Sequence, residues 1–200
     1  MVAAFELPPR RMTVDEFLAW DPEDGTGALW QSRDGEPERL APATDAHGSI
    51  QGQLSFLVTA HLRANGDRCR AVLNVGVVPR VRADRNLLVP DIGITCAPPS
   101  TVRAIPEPVV LIEILSPSNE AETRANVWAY TTIPSVAEIA VLGSTEVSAE
   151  VLRRRPDGSW PERPEVVGAG GELRLESIAF AAPLVAAYAT TPLAGAGATG

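Results

Sequence analysis

The apolar positions of this chain follow two patterns, a helical repeat near the start and a series of short continuous runs further on. The repeat predicts an amphipathic helix from about Asp45 to Ala64, which ends at Asn65-Gly66. The side chains that recur at the spacing of one helix face are Ile50, Leu54, Leu57, Val58, His61 and Leu62. Because His61 lies on this apolar face, we expect it to be a core histidine whose polar atoms are satisfied.

Two further helices are predicted by the residues at their ends. A short helix begins near Met12 and reaches Leu18, because Thr13 and Glu16 have the spacing of a capping box. A longer one is predicted from about Asn119 to Ile133, and the proline that follows ends it.

Short apolar runs predict the strands. In chain order the core strands are Arg70 to Pro79, Leu87 to Cys96, Pro108 to Leu115 and Val136 to Leu142, with a turn at residues 82–86 between the first two. A hairpin is predicted from Leu29 to Leu40, with Asp34-Gly35 as its turn. Another joins residues 147–152 to residues 160–167. The core order is therefore helix, three strands, helix, strand.

Two carboxylates interrupt adjacent apolar runs. Asp91 lies in the run from Leu87 to Ile94, and Glu113 lies in the run from Val109 to Leu115. An ionised carboxylate in a covered strand is unfavourable unless a partner compensates for its desolvation. If the two strands pair, both acids lie at one end of a sheet, where a divalent cation would satisfy both.

Each acid also has an ordinary structural explanation. Asp91 follows a proline, so it could be a turn acid or a helix cap. Glu113 could form a buried salt bridge with an arginine. For the two acids together, we favour the metal site.

Length and composition are typical of one globular domain. The chain has 200 residues, and no apolar stretch approaches the roughly 18 residues that span a bilayer. Residues 1–11 lack the basic start, apolar centre and cleavage site of a signal peptide, so we expect a cytoplasmic protein. We expect a single domain over residues 1–190 and a flexible Gly/Ala-rich tail over residues 191–200.

The chain contains two cysteines, Cys69 and Cys96. They would face each other if they lie on neighbouring strands. In a reducing cytoplasm, however, we expect two small buried hydrophobic residues rather than a disulfide. Neither cysteine nor histidine clusters at the spacing of a structural zinc site.

The chain is acidic overall, and all 17 of its basic residues are arginine. A net charge of −8 argues against a general nucleic-acid coat protein. Positive charge is concentrated between Arg63 and Arg85, where Arg80, Arg82 and Arg85 are candidates for contacts with a phosphate backbone. Solvated loop and strand-edge charge is the simpler explanation of that cluster.

Several ordered motifs carry a family resemblance. They are Met12-Thr13-Val14-Asp15-Glu16-Phe17-Leu18, Asp34-Gly35-Glu36, His47-Gly48, Val89-Pro90-Asp91, Glu113-Ile114-Leu115-Ser116-Pro117-Ser118 and the segment from Tyr130 to Glu138. With this set the chain resembles the PD-(D/E)XK restriction-endonuclease-like proteins. More closely, it resembles the bacterial Uma family, described as "putative restriction endonucleases", over residues 12–188. Pro-Asp alone is a weak motif, whereas the ordered set with its Glu-x-x-Ser-Pro-Ser strand end is fairly specific.

The resemblance implies an α/β (α+β) fold. Its restriction-endonuclease-like αβββαβ core has a central mixed sheet flanked by helices, with an added N-terminal helix and strand and a C-terminal hairpin. It also implies hydrolysis of nucleic-acid phosphodiesters with Mg²⁺ or Mn²⁺, for which Asp91 and Glu113 would be ligands and the carbonyl of Ile114 a third. Hard cations take such oxygens. DNA is a better candidate substrate than RNA, and a homodimer is implied.

The chain departs from the family pattern in a basic residue and in one acid. The wider fold places a lysine two residues after the glutamate, where this chain has Leu115. The Uma family places that lysine on the following helix, four residues before a tyrosine, and the residue at this position is Asn126. The family acid three residues before Asp34-Gly35 is replaced by Gln31.

These substitutions predict a weakened active site. In a nuclease we expect Arg124 or Asn126 to lie near the scissile phosphate, with Asp91 and Glu113 as the other catalytic residues. Asn126 donates a hydrogen bond but carries no charge, and the guanidinium of Arg124 carries charge but stays protonated. Losing one preorganised donor typically lowers the rate by about 10²–10³. We therefore expect a metal-dependent nuclease with a weakened site. The alternative is a catalytically degenerate member that binds nucleic acid or protein as a homodimer.

Three further side chains have two interpretations each. His47, in the first turn of the long helix, matches a family position and would contact phosphate or the edge of the site. It could equally be a surface residue that caps the helix. Tyr130 and Trp128 lie on the next helix, and we expect both in the core rather than stacked on bases.

Overall fold

The computed structural model describes residues 11–20 and 27–195. No helix in these two ranges is long and apolar enough to cross a membrane. The helices are α1 (Val14–Ala19), α2 (Asp45–Ala64) and α3 (Glu120–Tyr130). The strands are β1 (Trp30–Arg33), β2 (Glu36–Arg39), β3 (Arg70–Leu73), β4 (Ile92–Thr95), β5 (Pro108–Leu115), β6 (Glu138–Gly143), β7 (Ser148–Arg153), β8 (Glu165–Gly168), β9 (Glu172–Leu175) and β10 (Phe180–Pro183).

A mixed sheet organises the described part of the chain. Its six strands have the order β3-β4-β5-β6-β7-β8. β5 and β6 run parallel, and α3 connects them, whereas the other neighbours are antiparallel. A parallel pair requires a crossover connection of this kind. The predicted core order of helix, three strands, helix, strand is therefore confirmed, as is the mixed α/β fold class.

Helices α2 and α3 pack on opposite faces of this sheet. The buried face of α2 contributes Ile50, Leu54, Val58 and Leu62 to one core, together with Ile112 and its same-face neighbours on β5. The second core joins Leu111 of β5 to Tyr130 of α3. Because side chains alternate along a strand, Glu113 lies on the same face of β5 as Leu111 and therefore faces α3.

The predicted elements differ from the observed ones mainly in the lengths of two strands. α2 has the predicted bounds, and Thr13 and Glu16 form the predicted capping box of α1. The first two core strands are shorter than predicted. Between them, residues 74–91 form a loop in which Leu87 exchanges two backbone hydrogen bonds with Ser32 of β1. The β1–β2 hairpin therefore forms hydrogen bonds with a segment that the sequence pattern predicts to be part of the central sheet.

The C-terminal region contains a second two-stranded sheet, of β9 and β10, which the sequence pattern did not reveal. It is followed by a 3₁₀ helix from Leu184 to Tyr188 that covers the α2 side of the sheet. Part of the predicted tail is ordered in the same way, because Pro192–Gly195 forms a 3₁₀ turn and Leu193 packs against this core. Residues 196–200 of that tail lie outside the described ranges.

The two cysteines form a disulfide, so the expectation of two reduced residues is wrong. The register of β3 and β4 pairs Arg70 with Thr95, which places Cys69 directly opposite Cys96. Their Cα atoms are 3.9 Å apart, and both side chains are half-buried. The expectation rested on the redox state of a cytoplasm, whereas the strand register favours the pairing.

Glu138, at the start of β6, links the sheet to the C-terminal region by hydrogen bonds. It is 2% exposed. Its carboxylate accepts hydrogen bonds from Arg153 Nε (2.9 Å), the Glu176 amide (3.0 Å), the Ser177 amide (2.8 Å) and the Ser177 hydroxyl (2.6 Å). A buried carboxylate with four donors is fully compensated.

We expect Glu138→Gln to lower the free energy of unfolding by about 2–4 kcal/mol, because the amide cannot accept from all four donors and the ion pair with Arg153 is lost. Urea denaturation measures the change. Glu165→Gln is the matched control, since Glu165 also pairs with Arg153 but is half-exposed, and its effect should stay below about 1 kcal/mol. Equal effects of the two variants would contradict this role for Glu138.

Candidate metal-binding site at the end of the central strands

The strand register brings the two acids together. β4 and β5 are antiparallel with Ile92 opposite Ile112, so Asp91, one residue before Ile92, lies opposite Glu113. Both line a cavity of about 510 Å³ between the β1–β2 hairpin, the start of α2 and the start of α3. The prediction that paired strands place both acids at one end of a sheet is therefore confirmed.

Asp91 is held by groups from two elements. Its Oδ1 lies 2.8 Å from His47 Nε2 of α2, and its Oδ2 accepts a hydrogen bond from the backbone amide of Ile114 at 2.7 Å. Gln51 of α2 donates to the Asp91 carbonyl at 2.8 Å. His47 thus contacts the acid pair directly and also lines the cavity. It is neither a surface cap nor only at the edge of the site.

Glu113 is buried deeper than Asp91, and its side chain is held at one oxygen. Oε1 accepts hydrogen bonds from the Tyr130 hydroxyl at 2.7 Å and from Asn126 Nδ2 at 3.3 Å. The backbone of Asp91 gives the carboxyl group a further hydrogen bond with a smaller effect. Among the described residues no side chain donates to Oε2, and no arginine bonds to this carboxyl group. Glu113 therefore forms no salt bridge with an arginine of the described residues, and that explanation of its burial is wrong.

Burial raises the pKa of Glu113 from 4.5 to about 8, and the negative charge of Asp91 adds to the increase. The hydrogen bonds from Tyr130 and Asn126 oppose it but do not cancel it. Burial also raises the pKa of Tyr130 well above its usual value, and the neighbouring Glu113 raises it further. Tyr130 therefore stays protonated and donates to Glu113.

A second layer of polar groups lies behind Asn126. Arg33 of β1 donates from Nη2 to Asn126 Oδ1 at 2.8 Å and from Nε to Glu38 Oε2 at 3.1 Å. The completely buried Gln31 donates to Glu38 at 3.0 Å and to Glu122 at 2.7 Å. A glutamate at position 31 would place a third carboxylate beside those of Glu38 and Glu122 and would be repelled by them. The glutamine amide instead donates a hydrogen bond to each.

Arg124 does not face the acids. It forms a bidentate ion pair with Glu150 of β7 and lines a neighbouring cavity of about 280 Å³. The hydrogen bond that Arg124 donates to Glu150 raises the pKa of Arg124, and the same bond lowers the pKa of Glu150. The expectation that Arg124 lies near the scissile phosphate is therefore wrong. Its guanidinium forms an ion pair with Glu150 and does not face the Asp91–Glu113 cavity.

The predicted phosphate-contacting arginines also lie away from the cavity. Arg82 pairs with Asp34 at 2.5 Å, and Arg85 pairs with Asp84 at 3.3 Å. Arg80 is exposed, and its backbone amide bonds to Thr132 Oγ1. None of the three is among the cavity-lining side chains of the described residues.

The two aromatic residues of α3 have different environments. Tyr130 is completely buried, as expected, but it also donates to Glu113, a role that the sequence analysis missed. Its spacing of four residues from Asn126 was the available signal, since residues i and i+4 share one helix face. Trp128 is 63% exposed, so its predicted core position is wrong. His61 is hydrogen-bonded as predicted, with Nε2 3.0 Å from the carbonyl oxygen of Ile178, but it is half-buried rather than part of the core.

The donor set of the acid pair suits a hard divalent cation. Two carboxylates supply negative charge, and none of the described side chains donates to Glu113 Oε2. The amide of Ile114 donates to Asp91 Oδ2, and the carbonyl oxygen of Ile114 accepts a long hydrogen bond from Asn119 Nδ2 at 3.4 Å. Mg²⁺ and Mn²⁺ bind oxygens of this kind.

The sequence and the fold are similar to those of known proteins. Residues 14–182 match the model of a family named Uma2 and described as "Putative restriction endonuclease". The chain is 26% identical over 156 residues to the uncharacterized protein slr1290 of Synechocystis sp. This alignment covers 76% of this chain and 80% of slr1290. The crystal structure of a putative nuclease belonging to DUF820 from Anabaena variabilis has the same fold, with a TM-score of 0.69 at 17% identity. It covers 89% of this chain and 98% of that one.

The raised pKa of Glu113 predicts how the stability of the metal-free protein depends on pH. The unfolded chain loses this proton near pH 4.5 and the folded protein near pH 8. Between these values the folded state holds more protons, so stability falls as pH rises, by up to about 1.4 kcal/mol per pH unit for this one group.

Glu113→Gln should remove this contribution and so become increasingly stabilising, relative to the wild-type protein, from pH 5 to pH 8. Urea denaturation at a series of pH values, with chelator present, measures the difference. Glu162→Gln, at an exposed glutamate, is the control and should run parallel to the wild-type protein. A pH-independent difference between Glu113→Gln and the wild-type protein would show that the pKa of Glu113 is ordinary.

Proposed function

This chain belongs to the Uma2 family, whose description is "Putative restriction endonuclease", and we propose that it is a metal-dependent nuclease acting at the Asp91–Glu113 cavity. The observation that carries the proposal is the buried carboxyl group of Glu113, which faces the charge of Asp91 in an open polar cavity. In the absence of a cation this arrangement is unfavourable, because one of the two acids must keep a proton or remain uncompensated.

Asp91, Glu113 and the carbonyl of Ile114 are the groups that we assign to the metal. A bound Mg²⁺ or Mn²⁺ supplies Lewis-acid polarisation of a phosphoryl oxygen and lowers the pKa of a coordinated water. The protein's own contribution is orientation. His47 and the Ile114 amide fix Asp91, while Tyr130 and Asn126 hold one oxygen of Glu113.

Proton transfer in this site has to proceed without lysine. All 17 basic residues are arginine, and guanidinium does not release its proton in proteins. The cavity-lining side chains that can accept a proton are Asp91, Glu113, Glu122 and His47. We therefore assign the proton of the attacking water to this group of residues rather than to a basic side chain on α3.

A second candidate function is nucleic-acid binding without turnover, and the environment of Asn126 is the observation in its favour. The position carries a neutral amide, and Arg124 is committed to Glu150. For either function the proposed ligand is nucleic acid, DNA rather than RNA. We also propose a homodimer, because two active sites are needed to cut both strands of a duplex. Light scattering after gel filtration tests the homodimer.

The metal proposal predicts a thermal shift. Mn²⁺ or Mg²⁺ at about ten times its Kd should stabilise the protein by about 1.4 kcal/mol, which raises the melting temperature by about 3–6 °C. Asp91→Asn should abolish the increase. Glu146→Gln, which removes an acid outside the cavity, should retain it. If millimolar Mn²⁺ and Mg²⁺ leave the wild-type melting temperature unchanged, the metal site is not formed.

The nuclease proposal predicts Mn²⁺-dependent cleavage. We would incubate the purified protein with supercoiled plasmid, single-stranded DNA and RNA, each with and without EDTA. Asp91→Asn should reduce cleavage at least about 10²-fold, whereas Glu146→Gln should leave it unchanged. Asn126→Lys restores the family's basic residue and should raise the rate.

The same assay separates the two candidate functions. Cleavage by the wild-type protein that disappears in Asp91→Asn supports the enzyme. Cleavage that appears in Asn126→Lys but not in the wild-type protein would identify the natural chain as a catalytically degenerate member.

A further inference from the structure

Arg33 reaches the acid pair through a single intervening side chain. It lies at the end of β1, next to the Asp34-Gly35 turn, and its side chain is 29% exposed. Its Nη2 donates to Asn126 Oδ1 at 2.8 Å, and Asn126 Nδ2 donates to Glu113 Oε1 at 3.3 Å. Asn126 itself is 5% exposed, so both of these bonds are shielded from water.

The guanidinium determines which way the Asn126 amide points. Arginine has donors and no acceptor, so only the amide oxygen can face Arg33. The amide nitrogen must then face Glu113, to which it donates. In the opposite orientation the amide oxygen would face a carboxyl oxygen and the amide nitrogen would face the guanidinium, and both contacts would be unfavourable in a buried site.

The orientation of this amide decides which oxygen of Glu113 is used. Asn126 and Tyr130 both donate to Oε1, whereas none of the described side chains donates to Oε2. The backbone of Asp91 gives the carboxyl group a further hydrogen bond with a smaller effect. The two side-chain donors therefore fix the rotation of the carboxyl group and leave Oε2 without a side-chain donor.

We propose that Arg33 is a positioning residue for the metal site, which acts through Asn126 to hold Glu113 with one oxygen engaged and the other available to the ion. The proposal rests on the proposed metal site at Asp91 and Glu113, and it assigns to that site a residue from a different part of the fold. Groups that orient a metal ligand in this way typically change metal affinity by 10–100-fold when they are removed.

The second contact of Arg33 supplies the competing explanation. Its Nε donates to Glu38 Oε2 at 3.1 Å, so Arg33 could merely stabilise the β1–β2 hairpin. The two roles use different atoms of one guanidinium. Nη2 also lies 3.9 Å from Glu122 Oε1 of α3, a contact that does not pass through Asn126 and that the double variant below distinguishes. In Arg33→Gln the side-chain nitrogen occupies the place of Nε and keeps a donor for Glu38, whereas the Nη2 donor to Asn126 and the positive charge are lost.

Titration calorimetry with Mn²⁺ tests the proposal without a catalytic assay. Arg33→Gln and Asn126→Ala should each raise the Mn²⁺ Kd by about tenfold. If Arg33 acts through Asn126, the double variant should bind no more weakly than Asn126→Ala alone. Arg80→Gln makes the same chemical change at an exposed arginine outside the cavity, and its Kd should remain within about twofold of the wild-type value.

Two further measurements keep a folding defect apart from a loss of positioning. Circular dichroism and the metal-free melting temperature report on the fold, and a hairpin role alone would lower the melting temperature and leave the Kd unchanged. Asn126→Asp is the second variant. It retains an acceptor for Arg33 but has no amide donor for Glu113. The thermal shift by Mn²⁺ should therefore be smaller than in the wild-type protein even if Arg33→Gln does not fold, and an equal or larger shift would contradict the positioning role.

The outcomes separate this proposal from the proposed function. If the wild-type protein binds Mn²⁺, Asp91→Asn abolishes binding and Arg33→Gln binds with wild-type affinity, the positioning role is wrong and the metal site stands. Additive effects in the double variant would also overturn it, because Arg33 would then act independently of Asn126. If the wild-type protein binds no Mn²⁺, both proposals fall.

Discussion

The desolvation of one carboxyl group is the constraint on which the organisation of this site depends. Glu113 lies on a central strand with α3 packed over it, and burial raises its pKa to about 8. A group in that position must be given hydrogen-bond donors or a cation. Tyr130 and Asn126 of α3 provide the donors, and Arg33 of the hairpin fixes Asn126 in turn. The parallel crossover from β5 through α3 to β6 brings that helix to the acid.

The same constraint explains why the neighbouring polar residues are neutral or paired. Gln31 is completely buried between Glu38 and Glu122, where it serves as a donor to both. With these acids already present, a further carboxylate at position 31 would add repulsion, whereas the amide is satisfied. The arginines of this region are Arg33 on β1, which lies behind Asn126, and Arg39 on β2, which lines the cavity, whereas α3 presents no arginine to the cavity. The site is therefore organised with arginine alone, as it must be in a chain without lysine.

Much of this arrangement could be predicted from local pattern, and the remainder depends on long-range contacts. The bounds of α2, the strand from Pro108 to Leu115 and the meeting of the two acids follow from periodicity and strand pairing. The direction in which Arg124 points could also have been predicted from the sequence. Successive residues are about 100° apart around a helix, so Arg124 and Asn126 are separated by about 200° and cannot both face Glu113. By contrast, Arg33 and Asn126 are 93 positions apart, and no local pattern links them.

Our central claim is that Asp91 and Glu113 together bind a divalent cation. Anomalous diffraction from crystals soaked in Mn²⁺, recorded near the manganese absorption edge, tests it most directly. We predict a strong peak between Asp91 and Glu113, with Glu113 Oε2 and the carbonyl oxygen of Ile114 among its ligands. A peak only at other acids, such as Glu120 or Glu146 of the neighbouring cavity, would contradict the claim, as would a site at Asp91 and Glu113 without manganese.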